Sequence, residues 1–177
     1  MPFNPLSITE SKVFKPLLPI HTGNAFKDTI SKVFNLGPKQ QDTLFQCILE
    51  AYEINGINPY DKSTWTNTAP TFEQVYQRYM GNDDIKKNDS LAAAMNKLHQ
   101  FQVFESNPNN TKTLFDILKG VVVIDLSSYD SDIQSLVIAI TLDLFYSQMQ
   151  AAGSSKMDGQ YRQLTKMILV DEADNFT

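Results

Sequence analysis

Cysteine and histidine are nearly absent from this chain of 177 residues, which has one cysteine, Cys47, and two histidines, His21 and His99. A single cysteine cannot form a disulfide within the chain, which fits a protein from a reducing compartment. The two histidines are far apart and lack the spacing of zinc ligands, so a metal site of the His/Cys type is not expected. Cys47 lies on the apolar side of a predicted helix, where a buried structural thiol is more common than a nucleophile.

The sequence also lacks an apolar run long enough to cross a membrane, and no signal peptide opens it. We therefore expect a cytoplasmic protein without membrane association. Basic residues are outnumbered, since 15 Lys and Arg stand against 20 Asp and Glu, giving a net charge of −5. This balance argues against a self-sufficient nucleic-acid clamp, which needs clustered basic side chains. Hydrophobic residues make up 42% of the chain, which is enough to build a core.

Apolar side chains at helical spacing dominate the first two thirds of the sequence. They predict helices over about 24–35, 38–54, 71–80 and 89–100, with a surface loop over 57–70. Proline, glycine and asparagine clusters separate these helices, as expected for turns. We predict an N-terminal helical part over 1–56 and a helical insertion over 57–119.

The pattern changes in the last third, over 120–177. Two largely apolar segments of strand length, 121–126 and 166–170, flank an apolar helix over about 130–149. Continuous apolar strands around a buried helix are typical of a right-handed βαβ crossover in a parallel sheet. The sequence therefore predicts an α/β fold, with part of a parallel sheet and a helical subdomain, and helix-rich overall.

Two adjacent carboxylates, Asp171 and Glu172, follow the second apolar run. This order fits a Walker B element, in which the first carboxylate holds the Mg²⁺ of Mg-ATP and the second orients or deprotonates the attacking water. The simpler alternative is a polar cap where a strand emerges into water. Asp125 ends the first run in the same way, and the carboxyl ends of parallel strands gather ligands at one edge. For Asp125, a role in capping the next helix is the more common alternative.

The phosphate-binding half of an ATPase site is missing from the sequence. No G-x-x-x-x-G-K-[ST] pattern occurs in the chain, so it has no P-loop. Without that loop's lysine and backbone N–H groups, little remains to hold the β- and γ-phosphates. We therefore predict an internal piece of a nucleotide-driven motor, which alone neither hydrolyses ATP nor binds it tightly.

Several segments in the order of the chain resemble the HerA/FtsK-type ATPases. They are Asn4-Pro-Leu, Leu36-Gly-Pro-Lys-Gln, Glu50-Ala-Tyr, Gly120-Val-Val-Val-Ile-Asp-Leu-Ser and Ile168-Leu-Val-Asp-Glu-Ala. The last two are the most specific. The resemblance covers nearly the whole chain and corresponds to the region between Walker A and a point just past Walker B. Among members, the chain is most similar to the helicase-like ATPases of DNA phosphorothioation-dependent restriction systems (DptH).

This resemblance implies a RecA-like α/β core, usually assembled as a hexamer, that couples ATP hydrolysis to movement on DNA. It assigns Mg²⁺ support to Asp171 and polarisation of the water to Glu172, and it makes DNA and further copies of the protein the expected partners. Asp174 stands where members often have histidine. The alternative function is a non-catalytic helical interaction module or a pseudo-ATPase subunit, in which the insertion over 57–119 docks a partner.

Overall fold

The structure, a computed structural model, describes residues 1–8, 16–83, 85, 87, 89–112, 114–117, 120–164 and 167–171. This part of the chain is helix-rich. Its helices are α1 (Leu18–Val33), α2 (Pro38–Ile54), α3 (Phe72–Gly81), α4 (Ser90–Gln100), α5 (Leu114–Ile117) and α6 (Ser131–Ala152), with 3₁₀ turns at Lys62–Thr66 and Pro108–Asn110. The short strand β1 (Met157–Asp158) pairs antiparallel with β2 (Tyr161–Arg162).

The prediction of a parallel, RecA-like sheet is wrong. Within the described residues, 121–126 and 167–170 form no strand, and the one sheet is the antiparallel pair β1–β2. Both apolar runs face solvent, with Val121 98% and Leu169 86% exposed. A β-branched sequence favours an extended backbone, but a strand is stable only when neighbours pair its N–H and C=O groups. The described fold is therefore helical rather than α/β.

Helices α2, α3 and α4 begin and end within one residue of the predicted positions. Their starting points are set by local capping. Pro38 opens α2, where its missing N–H costs nothing. At α3, the Gln74 N–H donates to Thr71 Oγ1 (3.4 Å), and Gln74 Oε1 accepts the Thr71 N–H (2.9 Å). At α4, Asp89 Oδ1 accepts the N–H of Ala92 at 3.0 Å. The sequence signals for these helices are confirmed.

Helix α1 starts at Leu18, about six residues before the predicted position. Pro19 lies in its first turn, where proline is tolerated because the first N–H groups have no partner in the helix. Gly23, which lies within α1, marks the contact between α1 and α2. A Cβ atom at Gly23 would lie 2.9 Å from Ile48 Cγ2. The glycine therefore allows the two helices to approach closely.

The N-terminal segment over 1–8 lies outside the helices and contributes to the core. Phe3 is 2% exposed and Leu6 is fully buried. Asn4 fixes the backbone here, because its Nδ2 donates to the Pro70 carbonyl at 2.8 Å and its Oδ1 accepts the Leu6 N–H at 3.0 Å. The Tyr52 hydroxyl donates to the Leu6 carbonyl at 2.6 Å. These bonds satisfy polar groups whose burial would otherwise be costly.

Helix α6 is confirmed as a helix, and the fully buried apolar side chains among its described residues lie in its first half. It packs against α1 and α5. Its first half contributes four core residues, Ile133, Leu136, Val137 and Ile140, while its second half exposes Leu142, Tyr146 and Met149. No helix in the described part of the chain is long and apolar enough to cross a membrane.

Candidate functional site

Asp125 lies in the exposed segment before α6 and not at the end of a strand. Its Oδ1 accepts the backbone N–H of Ser127 at 2.9 Å. Hydrogen bonding from Ser127 lowers the pKa of the Asp125 carboxyl below its ordinary value, so the group is ionised at neutral pH. Helix α6 is capped by Asp130, whose Oδ1 accepts the Ile133 N–H at 3.2 Å. Asp125 therefore orders its own turn and does not cap the following helix.

Asp171 lies in an exposed turn directly after the apolar run 167–170. Glu172, the predicted catalytic residue, lies outside the described residues, as does Asp174. Because 167–170 is not a strand, the expected arrangement of an acidic pair at the end of a parallel strand is not formed in the described part of the chain. Binding of Mg²⁺ by Asp171 stays a prediction.

Among the described residues, no group of three or more His, Cys, Asp and Glu side chains is placed to hold a metal ion. Mg²⁺ in nucleotide sites is held by one or two carboxylates together with the phosphates of the nucleotide. A Mg²⁺ ion bound in this way needs fewer protein ligands than such a group contains.

An ion-pair cluster that the sequence did not predict fixes the start of α6 against α4. Lys97 Nζ lies 2.9 Å from Asp130 Oδ1 and 2.7 Å from Asp132 Oδ2. It also lies 5.8 Å from the centre of the Phe34 ring. Partial burial alone lowers the pKa of Lys97, but the hydrogen bonds to Asp132 and Asp130 outweigh this effect and the pKa is raised. Lys97 is therefore a charged bridge between two helices.

The turn between Asp125 and α6 is held by further contacts. Gln134 Nε2 donates to the carbonyls of Leu126 at 3.0 Å and Tyr129 at 2.8 Å. The Tyr129 ring packs edge-on against Phe101, with 6.1 Å between ring centres. Together with the ion pairs of Lys97, these contacts attach the turn to α6 and to the end of α4.

We predict that Lys97→Met weakens the fold by about 0.5–1 kcal/mol at neutral pH, the usual range for a partly exposed ion pair. Partial desolvation raises the pKa of Asp130, but its hydrogen bonds, led by the one from Lys97, lower it further, and the net shift is downward. A carboxyl with a lowered pKa stabilises the fold above its unfolded-state pKa, and this stabilisation is lost as pH falls through the folded-state value.

The wild-type free energy of unfolding should therefore decline below about pH 4, and the decline should be shallower in Lys97→Met. Urea denaturation at neutral pH and in steps down to about pH 3 measures both effects. Lys39→Met, which removes an exposed lysine from α2, is the matched control and should follow the wild-type curve. If the free energy of unfolding falls equally steeply with pH in Lys97→Met and in the wild type, the ion pairs of Lys97 do not stabilise the fold.

A second polar cluster joins α3 to α4. His99 Nδ1 lies 2.8 Å from Glu73 Oε2. The imidazole stacks on the Tyr76 ring, with 4.0 Å between ring centres and 6° between planes. The Tyr76 hydroxyl donates to Asn96 Oδ1 at 2.9 Å. These contacts give His99 a role in helix packing, and its partners lie too far away in sequence for a spacing motif to reveal them.

A shallow groove lies beside Trp65, away from the predicted site residues. Its volume is about 430 Å³, and it is lined by Ser7, Ile8, Trp65, Thr66, Asn67 and Ala69. The Trp65 indole N–H already donates to the Asn58 carbonyl at 3.0 Å. Among the described residues, those that line the groove are polar or apolar and uncharged.

Comparison of the sequence with protein-family models and with curated proteins gives no match. The likeness to HerA/FtsK-type ATPases therefore rests on the sequence segments that carry it.

Proposed function

We propose that this chain is part of an ATP-driven DNA translocase or helicase-like motor and supplies the acidic residues of its Walker B element. The observation that supports the proposal is the sequence at 167–172, where an uncharged apolar run ends in Asp171 and Glu172. The same order, an apolar run followed by aspartate, occurs at 121–125. DNA restriction that depends on phosphorothioation is the biological setting that the resemblance suggests.

In this proposal the two carboxylates have different tasks. Asp171 supports the Mg²⁺ that neutralises the phosphates, and Glu172 orients or deprotonates the water that attacks the γ-phosphate. The phosphate-binding loop comes from outside this sequence, because the sequence contains no P-loop. In this proposal the main DNA-binding surface also comes from outside this sequence, since a chain with a net charge of −5 is poorly suited to bind a polyanion alone.

A second function, a non-catalytic helical interaction module or pseudo-ATPase subunit, is favoured by one observation. Most of the exposed large apolar side chains lie between residues 121 and 170, whereas the core is built mainly from residues 3–104. Concentrated apolar exposure is typical of surfaces that contact other proteins. In this alternative, Asp171 and Glu172 have no part in catalysis.

The deciding experiment is DNA-stimulated ATP hydrolysis by the longest natural polypeptide that contains this sequence, measured beside the chain of 177 residues alone. We expect the longer polypeptide to hydrolyse ATP faster with DNA, and the chain alone to show no turnover, because it lacks a phosphate cradle. A longer polypeptide that is inert with and without DNA would exclude the motor and favour the interaction module. Turnover by the chain alone would show that the site is more complete than we propose.

A further inference from the structure

The sequence contains one Asn-Gly pair, Asn55-Gly56, which follows α2 and has Asn55 as the C-cap of that helix. Asparagine is among the chemically labile residues of proteins. It loses its amide group most readily before glycine, because the attacking backbone nitrogen then belongs to a residue without a side chain to obstruct it. Gly56 is exposed and has a φ of 71°. The pair is thus a chemically reactive dipeptide at the surface of the protein.

The reaction of this pair needs only water as a co-reactant. The Gly56 nitrogen attacks Asn55 Cγ and gives up its proton, the Cγ–Nδ2 bond breaks, and ammonia leaves. Water then opens the resulting succinimide ring at one of its two carbonyl carbons, which leaves an aspartate or an isoaspartate at position 55. The ring can close only when the Gly56 nitrogen lies beside Asn55 Cγ.

The backbone at the end of α2 holds the Gly56 nitrogen away from the Asn55 side chain. Asn55 has a ψ of 8°, so the Gly56 nitrogen is eclipsed with the Asn55 backbone nitrogen and not with its Cβ. The Gly56 N–H donates to the Glu53 carbonyl at 2.8 Å, and the Ile57 N–H donates to the Tyr52 carbonyl at 2.9 Å. Ring closure requires rotation about the Cα–C bond of Asn55. That rotation breaks both hydrogen bonds and displaces Ile57, whose side chain is buried.

The Asn55 amide group is also held, by the start of α3 and by the chain before it. Its Nδ2 donates to the Thr68 carbonyl at 3.0 Å and to Gln74 Oε1 at 3.4 Å. Its Oδ1 accepts a hydrogen bond from Gln74 Nε2 at 2.9 Å. Asn67 Nδ2 donates to the Gly56 carbonyl at 2.8 Å. Both partners of the reaction are therefore fixed in an arrangement that does not close the ring.

We propose that Asn55 is a deamidation site that the contact between the end of α2 and the start of α3 keeps closed, and that local release of this contact opens. After conversion, the carboxylate at position 55 has no N–H to donate to the Thr68 carbonyl, so the original contact does not re-form. Deamidation of Asn55 thus records irreversibly that the two helix ends have separated. The proposal goes beyond the motor function and does not depend on it, since the reaction uses neither ATP nor DNA.

Peptide mass spectrometry of the chain of 177 residues, incubated in mildly alkaline buffer with and without urea, tests the proposal. The conversion of the amide to a carboxyl changes the mass of the peptide that contains Asn55, and an unincubated sample corrects for conversion during digestion. The folded wild-type chain should deamidate at Asn55 at least about tenfold more slowly than the urea-unfolded chain, because the reactive arrangement forms only in an open state.

Substitutions in the folded chain test whether the opening is local. Gln74→Ala removes the side chain that holds the Asn55 amide group and should speed deamidation about tenfold, the change in population expected when a hydrogen bond is lost. Gln77→Ala makes the same change at an exposed position one turn later in α3 and is the matched control. Phe101→Ala removes a ring that packs against Tyr129, so it weakens the fold at another place. Both controls should deamidate at the wild-type rate.

Circular dichroism checks that each variant is folded under the conditions of incubation. Three results would overturn the proposal. In the first, the folded wild-type chain deamidates at Asn55 as fast as the unfolded chain. In the second, Gln74→Ala is no faster than the wild type. In the third, Gln77→Ala or Phe101→Ala speeds the reaction as much as Gln74→Ala does, which would show that the site is not opened by release of the contact between α2 and α3.

Discussion

Replacing Phe104 with alanine is expected to destabilise the fold by about 3–5 kcal/mol, which is the usual loss when a buried phenylalanine is truncated. Phe104 is 6% exposed. Its ring centre lies 6.1 Å from that of Phe3, 5.7 Å from that of Phe26 and 5.6 Å from that of Phe72. The substitution would leave a cavity at the point where the N-terminal segment, α1 and α3 meet, and would remove three aromatic contacts.

Phe101→Ala provides the matched control, because it makes the same chemical change three residues earlier in the chain. Phe101 is 44% exposed and packs edge-on against Tyr129. We expect it to cost about 0.5–1 kcal/mol. Urea denaturation of both variants, with equal m-values, gives the comparison. Similar losses for the two variants would show that Phe104 is not the centre of the core.

Phe104 also illustrates which parts of the fold could be predicted from sequence. Helices α2, α3 and α4 were predictable because their signals are local. Apolar residues recur at helical spacing within each helix, and Pro38, Thr71 and Asp89 mark the three helix starts. Phe3 and Phe104 lie outside the helices, and no periodicity identifies them as core. Their burial depends on contacts across about one hundred positions of sequence, which local patterns do not encode.

The error in predicting the sheet has a related cause. The sequence predicts a strand over 121–126 because the residues of this run favour an extended backbone, and the alternating exposure of Val121–Ile124 agrees with that preference. Propensity describes one segment, whereas a sheet requires a second segment that pairs with it. Nothing in the run itself specifies that partner. The sequence therefore predicted the local character of the segment and not its pairing.

At the predicted site, too, the sequence predicts local features but not contacts between distant residues. The sequence places Asp125 and Asp171 after apolar runs, and the structure shows both exposed, with Asp125 bound to Ser127. The bridge from Lys97 to Asp132, by contrast, spans 35 positions of sequence, so no motif predicts it. Clusters of this kind form only when helix packing brings distant residues together.

Replacing Glu172 with glutamine in the longest natural polypeptide is expected to lower the rate of DNA-stimulated ATP hydrolysis by about 10²–10⁴-fold, the usual effect of losing a general base. Glutamine has nearly the same size and shape as glutamate but cannot accept the proton of the attacking water at neutral pH. Affinity for ATP should change little, because in the motor proposal Mg²⁺ is supported by Asp171 and the phosphates by groups outside this sequence. The substitution should thus lower the rate of ATP hydrolysis without lowering the affinity for ATP.

Glu53→Gln makes the same substitution at an exposed position of α2 and is the matched control. Steady-state turnover and binding of a fluorescent ATP analogue should be measured for both variants, since a folding defect lowers binding and turnover together. If Glu172→Gln binds ATP but does not turn it over, while Glu53→Gln behaves like the wild type, Glu172 acts on the reacting water. If both variants hydrolyse ATP at the wild-type rate, the acidic pair only terminates an apolar segment. The exposed apolar surface between residues 121 and 170 would then be the better guide to function.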